Sequence, residues 1–254
     1  MALSLSGIGV RLSRGEAALA DVSLTVPDGA IVGVIGPNGA GKTTLLNVVC
    51  GFVAPTTGTM SLDGAPLRPK PHHLVRLGIA RTLQGVGLFD GLSVLENVMA
   101  GATRAARTGV VASLLGAPRA DRDERALADL ARSLLDELGL ARYAGARPST
   151  LPYALRKKVA LARALAGDPR LLLLDEPAGG LSAEETDELA ALLTGLAHRP
   201  SGACSVLLVE HHVPLVVLVC DEVVVLDLGR VVAAGTAARL REDRAVADAY
   251  LGAL

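Results

Sequence analysis

Gly36-Pro37-Asn38-Gly39-Ala40-Gly41-Lys42-Thr43 follows the apolar run at 30–35 and opens a second apolar stretch, 42–49, with helical spacing. The octet fits G-x-x-x-x-G-K-[ST], and its place between a strand and a helix is the one its chemistry requires. Glycines let successive backbone N–H groups converge on phosphate oxygens at a helix N-terminus, where the helix dipole favours negative charge. Lys42 adds a point charge for the outer phosphates, and the Thr43 hydroxyl can ligate Mg²⁺. The octet therefore predicts a nucleoside-triphosphate site.

Outward from this loop, apolar residues come in short bursts at 171–174, 206–209 and 223–226, bounded by Gly, Pro and Asp. Such bursts predict buried strands. Between them lie stretches with helical spacing at 125–138, 156–165 and 183–197, the last with Ser182 placed to cap it and Glu185 as the partner in a capping box. Strands alternating with helices predict a parallel α/β sheet. The middle of the chain, about 86–156, shows no convincing buried strand and carries the charged turn Asp121-Arg122-Asp123-Glu124-Arg125. We read 1–254 as a single domain whose α/β core carries this segment as an inserted helical subdomain. Near the end, 223–226 and 231–233 flank Asp227-Leu228-Gly229-Arg230, the pattern of a hairpin closed by a Gly turn.

The 254 residues are half apolar, enough for a sizeable core, and 25 Lys and Arg against 26 Asp and Glu leave a net charge of −1. Nucleic-acid binding needs a clustered basic excess, so that partner is disfavoured. Apolar runs such as 213–220 end at charges like Asp221 and Glu222, well short of the roughly 20 residues that cross a hydrocarbon core. No secretory signal is visible at Met1-Ala2-Leu3-Ser4, and cytosolic residence is the expectation. Cys50, Cys204 and Cys220 have no paired spacing and read as small buried hydrophobes.

Leu171-Leu172-Leu173-Leu174-Asp175-Glu176 places two carboxylates at the end of a buried strand. One can hold a metal and the other can orient or deprotonate an attacking water, which suggests hydrolysis. With this pair after the phosphate loop, the chain resembles the ATP-binding cassette (ABC) ATPases over essentially its whole length, in the family's order. Gln84, in Arg81-Thr82-Leu83-Gln84, resembles the Q-loop glutamine, and His211, in Leu207-Leu208-Val209-Glu210-His211, resembles the switch histidine. Pro177-Ala178-Gly179-Gly180-Leu181, Leu88-Phe89, Leu95-Glu96-Asn97 and the long insert around 114–136 look most like the ATPase subunits of branched-chain amino-acid importers.

The resemblance implies a P-loop NTPase core, RecA-like, with an inserted helical subdomain, and it implies roles. Gly36 to Thr43 and Thr44 would bind the phosphates of ATP, and Leu12 would lie where the family stacks adenine on an aromatic. Thr43, Asp175 and Gln84 would hold Mg²⁺. Gln84 would also contact the attacking water and pass the nucleotide state to membrane subunits. Glu176 would be the catalytic base, and His211 would touch the γ phosphate. His72, His73, His198 and His212 carry no ligand spacing and read as surface residues.

The family's signature, usually Leu-Ser-Gly-Gly-Gln, is here Leu151-Pro152-Tyr153-Ala154-Leu155, followed by Arg156-Lys157-Lys158. Pro152 has no hydroxyl for a γ phosphate, Ala154 adds a methyl where backbone must come close, and Leu155 has no amide. Leu12 offers an apolar face in place of an aromatic ring. The resemblance implies a second ATPase subunit as partner, a non-identical one given the altered signature. It further implies membrane permease subunits, an external solute-binding protein served indirectly, and a peripheral position on the inner face of the cell membrane. The competing expectation is a cassette that binds ATP for regulation or structure and hydrolyses it weakly or not at all.

Overall fold

The computed structural model describes residues 2–11, 16–82, 86–102, 118–197 and 203–242, with backbone alone at 118–122 and 241–242. In chain order they form β1 (Leu3–Arg11), β2 (Ala17–Val26), β3 (Ile31–Ile35), α1 (Lys42–Val49), β4 (Thr57–Leu62), β5 (Ala65–Pro66), β6 (Ile79–Arg81), α2 (Val94–Gly101), α3 (Pro118–Glu137), α4 (Tyr153–Leu165), β7 (Leu171–Asp175), α5 (Ala183–Ala197), β8 (Ser205–Val209), α6 (Val213–Val219), β9 (Glu222–Asp227), β10 (Arg230–Gly235) and α7 (Ala237–Glu242). The chain divides into two units, one made of Met1–Leu74 with Arg170–Leu254 and the other of Val75–Pro169.

In the first unit, strands run in the order β10-β9-β3-β8-β7. β3 is parallel to both β8 and β9, β7 is parallel to β8, and β10 turns back antiparallel on β9. Every residue of β3, β7 and β8 is buried, as a sheet covered on both faces demands, and this is why their sequences are unbroken apolar runs. The register pairs Val34 with Val209 and Asp175 with Val209, so the carboxyl ends of β3, β7 and β8 finish side by side. Loops leaving that edge are where open α/β sheets place their ligands. The Ser182–Glu185 capping box at the start of α5 is formed in both directions, with Ser182 N–H donating to the Glu185 carboxylate at 2.8 Å and Glu185 N–H to Ser182 Oγ at 3.2 Å.

A second sheet in this unit, β2-β1-β4-β5, is antiparallel throughout. The sequence did not predict it. Its longest strands carry register shifts, β1 against β2 slipping between Leu5 and Ile8 and again between Ile8 and Val10. Such bulges break the period of two by which a half-buried strand is recognised.

The other unit is built on α2, α3 and α4, with the short strand β6. Among the described residues of 86–156 there is no strand. α2 and α4 approach so closely that a Cβ on Gly101 would collide with the Arg163 backbone carbonyl. Glycine is needed there for room, not for φ. α2 opens with a complete capping box, Ser93 Oγ accepting from Glu96 N–H and the Glu96 carboxylate accepting from Ser93 N–H. α4 begins earlier than the periodicity predicted, at Tyr153, and α3 is already helical at Pro118, the first residue described there. At α4, Pro152 takes the N-cap position with ψ at 153°, extended backbone, so the helix can start only at the residue that follows. No helix among the described residues is long and apolar enough to cross a membrane.

Candidate nucleotide site

β3 ends at Ile35 and α1 starts at Lys42, and the six residues between them form the predicted phosphate loop. Gly36 sits at φ 151°, and a Cβ there would run into the Leu226 carbonyl of β9, so the loop leaves the sheet by a route open only to glycine. The hairpin turn between β9 and β10 braces the loop from one side, with Gly229 N–H donating to the Ala40 carbonyl at 3.0 Å and Gly229 carbonyl accepting from Ala20 N–H at 2.8 Å. No side chain caps the N-terminus of α1, whose N-cap is Gly41. The positive end of the helix dipole therefore faces the loop with no side-chain cap on its first amides and no acid in its first turn.

Lys42 is only 6% exposed, and its ammonium donates to the carbonyls of Gly36 at 2.7 Å and Pro37 at 3.0 Å. Burial holds its pKa below the ordinary lysine value, while the Glu176, Asp175 and Glu210 carboxylates pull the other way. A phosphate placed in the loop would supply the acceptors that these two carbonyls supply here. Thr43, at the first turn of α1, is exposed, and Thr44 is half-buried.

From the end of β7, Asp175 is buried and Glu176 emerges half-buried with φ at 49°. That left-handed backbone is costly for a residue with a Cβ, by about 1 kcal/mol or more, and such strain tends to collect at functional positions. Glu176 N–H donates to the Val209 carbonyl at 2.9 Å, which ties the residue to the end of β8. From that strand end comes His211, 57% exposed, with Nδ1 3.7 Å from Glu176 Oε1. The structure thus brings together Lys42, Asp175, Glu176 and His211 at adjacent strand ends.

Glu210 lies between them and was passed over in the sequence. It is fully buried, and its carboxylate accepts from Ala178 N–H at 2.6 Å, His211 N–H at 2.9 Å and His212 N–H at 3.1 Å. An acid directly after an apolar strand was the available signal, but nothing local says which amides it would meet. His212 is exposed as expected, yet it also caps α6, its Nδ1 accepting from Leu215 N–H at 3.4 Å. His72 and His73 stack edge to face, and His198 lies outside the described residues. Cys50 and Cys204 are buried and Cys220 is largely so, none of the three in a disulfide, and burial pushes the Cys220 thiol up to about 12.

Leu12 and Gln84 lie outside the described residues. The signature segment belongs to the second unit. There Leu151 and Ala154 are buried, Pro152 is exposed, and Tyr153 carries two cations over its ring, Arg156 at 5.4 Å and Lys157 at 5.2 Å from the centroid. No side chain caps the N-terminus of α4.

Phe89, in the same unit, projects its ring while its backbone is held. Buried Asn97 accepts from Phe89 N–H at 2.8 Å and donates back to the Phe89 carbonyl at 3.0 Å and to the Ser93 carbonyl at 2.9 Å. Arg163 of α4 donates to the Gly87 carbonyl at 2.7 Å and lies 5.6 Å above the Phe89 ring, which remains 55% exposed.

A strand–loop–helix phosphate cradle with paired carboxylates and a histidine at neighbouring strand ends defines a P-loop NTPase, and residues 19–179 match the family model described as ABC transporter. The chain belongs to the ABC transporter ATPases. It is 39% identical to the high-affinity branched-chain amino acid transport ATP-binding protein BraF of Pseudomonas aeruginosa, over 98% of this chain and 97% of that one. It is 36% identical to the corresponding protein LivG of Escherichia coli K12 over the same shares. Among solved structures, a nucleotide-free ATP-binding cassette from an ABC transporter superposes with a TM-score of 0.83 at 26% identity over the whole of both chains. The ADP conformation of the cassette MJ1267 gives 0.81 at 26% identity, again over the whole of both chains. These relatives do not favour a non-hydrolysing regulatory cassette.

Proposed function

We propose that this chain binds ATP with Mg²⁺ and hydrolyses it to drive import of branched-chain amino acids, or similar small polar or amide solutes, through separate membrane subunits. Its place would be the cytoplasmic face of the membrane, serving an external solute-binding protein indirectly. The cargo rests on the likeness to BraF and LivG. The hydrolytic role rests on one observation above all, the 3.7 Å approach of His211 Nδ1 to Glu176 Oε1 beside the phosphate loop.

In this scheme Lys42 and the loop from Gly36 to Thr44 hold the phosphates and Leu12 covers the adenine. Glu176 takes the proton of the attacking water, and His211 contacts the γ phosphate. Thr43, Asp175 and Gln84 would hold Mg²⁺. The exposed Thr43 hydroxyl and the Asp175 carboxylate are hard oxygen donors, and so few of them suit a cation that keeps waters and phosphate oxygens as its remaining ligands. When bound, the ion would neutralise negative charge on the phosphates.

Leu151, Pro152, Tyr153, Ala154 and Leu155 would face ATP held by a partner cassette. Because Pro152 lacks the serine hydroxyl, Leu155 lacks the glutamine amide and Ala154 adds a methyl, the partner that completes a fast site is a second, non-identical ATPase. The test is co-expression with the membrane subunits and reconstitution in vesicles. Leucine uptake that requires ATP and stops with Glu176→Gln is the expected result, and failure to co-purify with those subunits overturns the assignment.

A further inference from the structure

We infer that Glu210 is a positioning residue that locks the loop carrying Glu176 to the loop carrying His211, so that their spacing is set as one unit. Three backbone amides converge on this fully buried carboxylate, and they come from both loops. Oε1 accepts from Ala178 N–H at 2.6 Å, two residues after Glu176, while Oε2 accepts from His211 N–H at 2.9 Å and His212 N–H at 3.1 Å. His211 Nδ1 stands 3.8 Å from the same Oε2 and 3.7 Å from Glu176 Oε1. A buried charge is tolerated where hydrogen bonds to it are short and numerous, and these bonds all go to backbone, which cannot rotate away. Ala178 is itself buried, so its amide has no water to turn to if the carboxylate is removed. The Glu176 N–H bond to the Val209 carbonyl joins the strand ends themselves, and the Glu210 side chain adds a second tie further out, between the 177–181 loop and the amides of His211 and His212.

The proposal rests on the hydrolytic roles of Glu176 and His211, and its test separates the two. Glu210→Gln preserves shape, but an amide has only one oxygen, so one loop must face an N–H group and be released. Expected is a fall in turnover of about 10- to 100-fold with the affinity for ATP held within about twofold, because misplacement rather than lost binding is the defect. Amide hydrogen exchange, read by mass spectrometry, should quicken in 176–181 as well as in 211–213. Glu210→Asp keeps the charge but is one methylene short of both loops, and should shift turnover and exchange in the same direction. Unchanged turnover in Glu210→Gln, full turnover in Glu210→Asp, or quickened exchange confined to 211–213 would overturn the lock. If wild type turns over no faster than Glu176→Gln, the hydrolytic assignment has failed, and the exchange pattern alone then decides whether Glu210 joins the two loops.

Discussion

The ammonium of Lys42 donates to the carbonyl of Gly36 at 2.7 Å, across the loop to which both residues belong. Bound phosphate must take over that bond, and it favours the charged lysine more than a carbonyl does. Since burial lowers the Lys42 pKa in the free protein, phosphate binding raises it again. ATP binding should then take up a proton at alkaline pH, and affinity should fall as pH rises through the lowered pKa, before the ordinary lysine value of 10.5 is reached. Calorimetric titration above pH ~8, where phosphate groups are already fully ionised, reads this directly. Affinity that stays flat up to pH 10.5 would contradict it. At pH 7, Lys42→Ala should weaken ATP binding by about 10- to 100-fold, the worth of one charge-assisted bond.

Glu176→Gln should keep ATP binding and trap a nucleotide-bound dimer, because the amide preserves length but cannot take a proton. Turnover should drop by about 10²- to 10⁴-fold. A mutant that hydrolyses at the wild-type rate would remove Glu176 from the chemistry.

The exposed, uncapped start of α4 gives the signature its own readout. Pro152→Ser supplies a hydroxyl at the N-cap and should stabilise the chain by about 1 kcal/mol, seen as a rise of roughly 2–4 °C in Tm. Together with Ala154→Gly and Leu155→Gln it should raise ATP turnover of the isolated chain by about tenfold or more, since one phosphate contact made in the transition state is worth that much. No gain from the repaired segment, or brisk turnover without it, would argue against an asymmetric pair of cassettes.

Asn97 and Phe89 should separate stability from docking. Asn97→Ala strips the Phe89 backbone of its partners inside the second unit and should cost about 2–4 kcal/mol by thermal or denaturant unfolding. Phe89→Ala removes a ring that is 55% exposed and should cost less than about 1 kcal/mol, yet weaken assembly with membrane subunits. If Phe89→Ala lowers Tm as much as Asn97→Ala and leaves assembly intact, the ring belongs to the core.

The parallel sheet was legible because strands buried on both faces must be apolar at every position, as Leu171–Asp175 and Ser205–Val209 are up to their last or first residue. The antiparallel sheet was not, because Gly7 at φ 62° and the slips around Ile8 scramble the alternation that β1 would otherwise show. α2 could have been found from Ser93 and Glu96, the same capping pair that marked α5 at Ser182 and Glu185. At the site, the phosphate loop, Asp175, Glu176 and His211 carry their chemistry in short local patterns. Glu210 does not, since its partner Ala178 is 32 residues away and only the parallel register of β7 and β8 brings them together.

β3 leads into the phosphate loop, yet its two neighbours in the sheet are β8 and β9, drawn from the last quarter of the chain. The brace on Ala40 comes later still, from Gly229. On a ribosome adding about 5–20 residues per second, Ile35 waits roughly 10–40 s for Asp227 to be made. For that interval the most diagnostic motif in the sequence is a loop without walls. A nascent chain should grip ATP only once Gly229 has been made, and fragments that stop short of it should carry the phosphate motif without the nucleotide affinity it advertises.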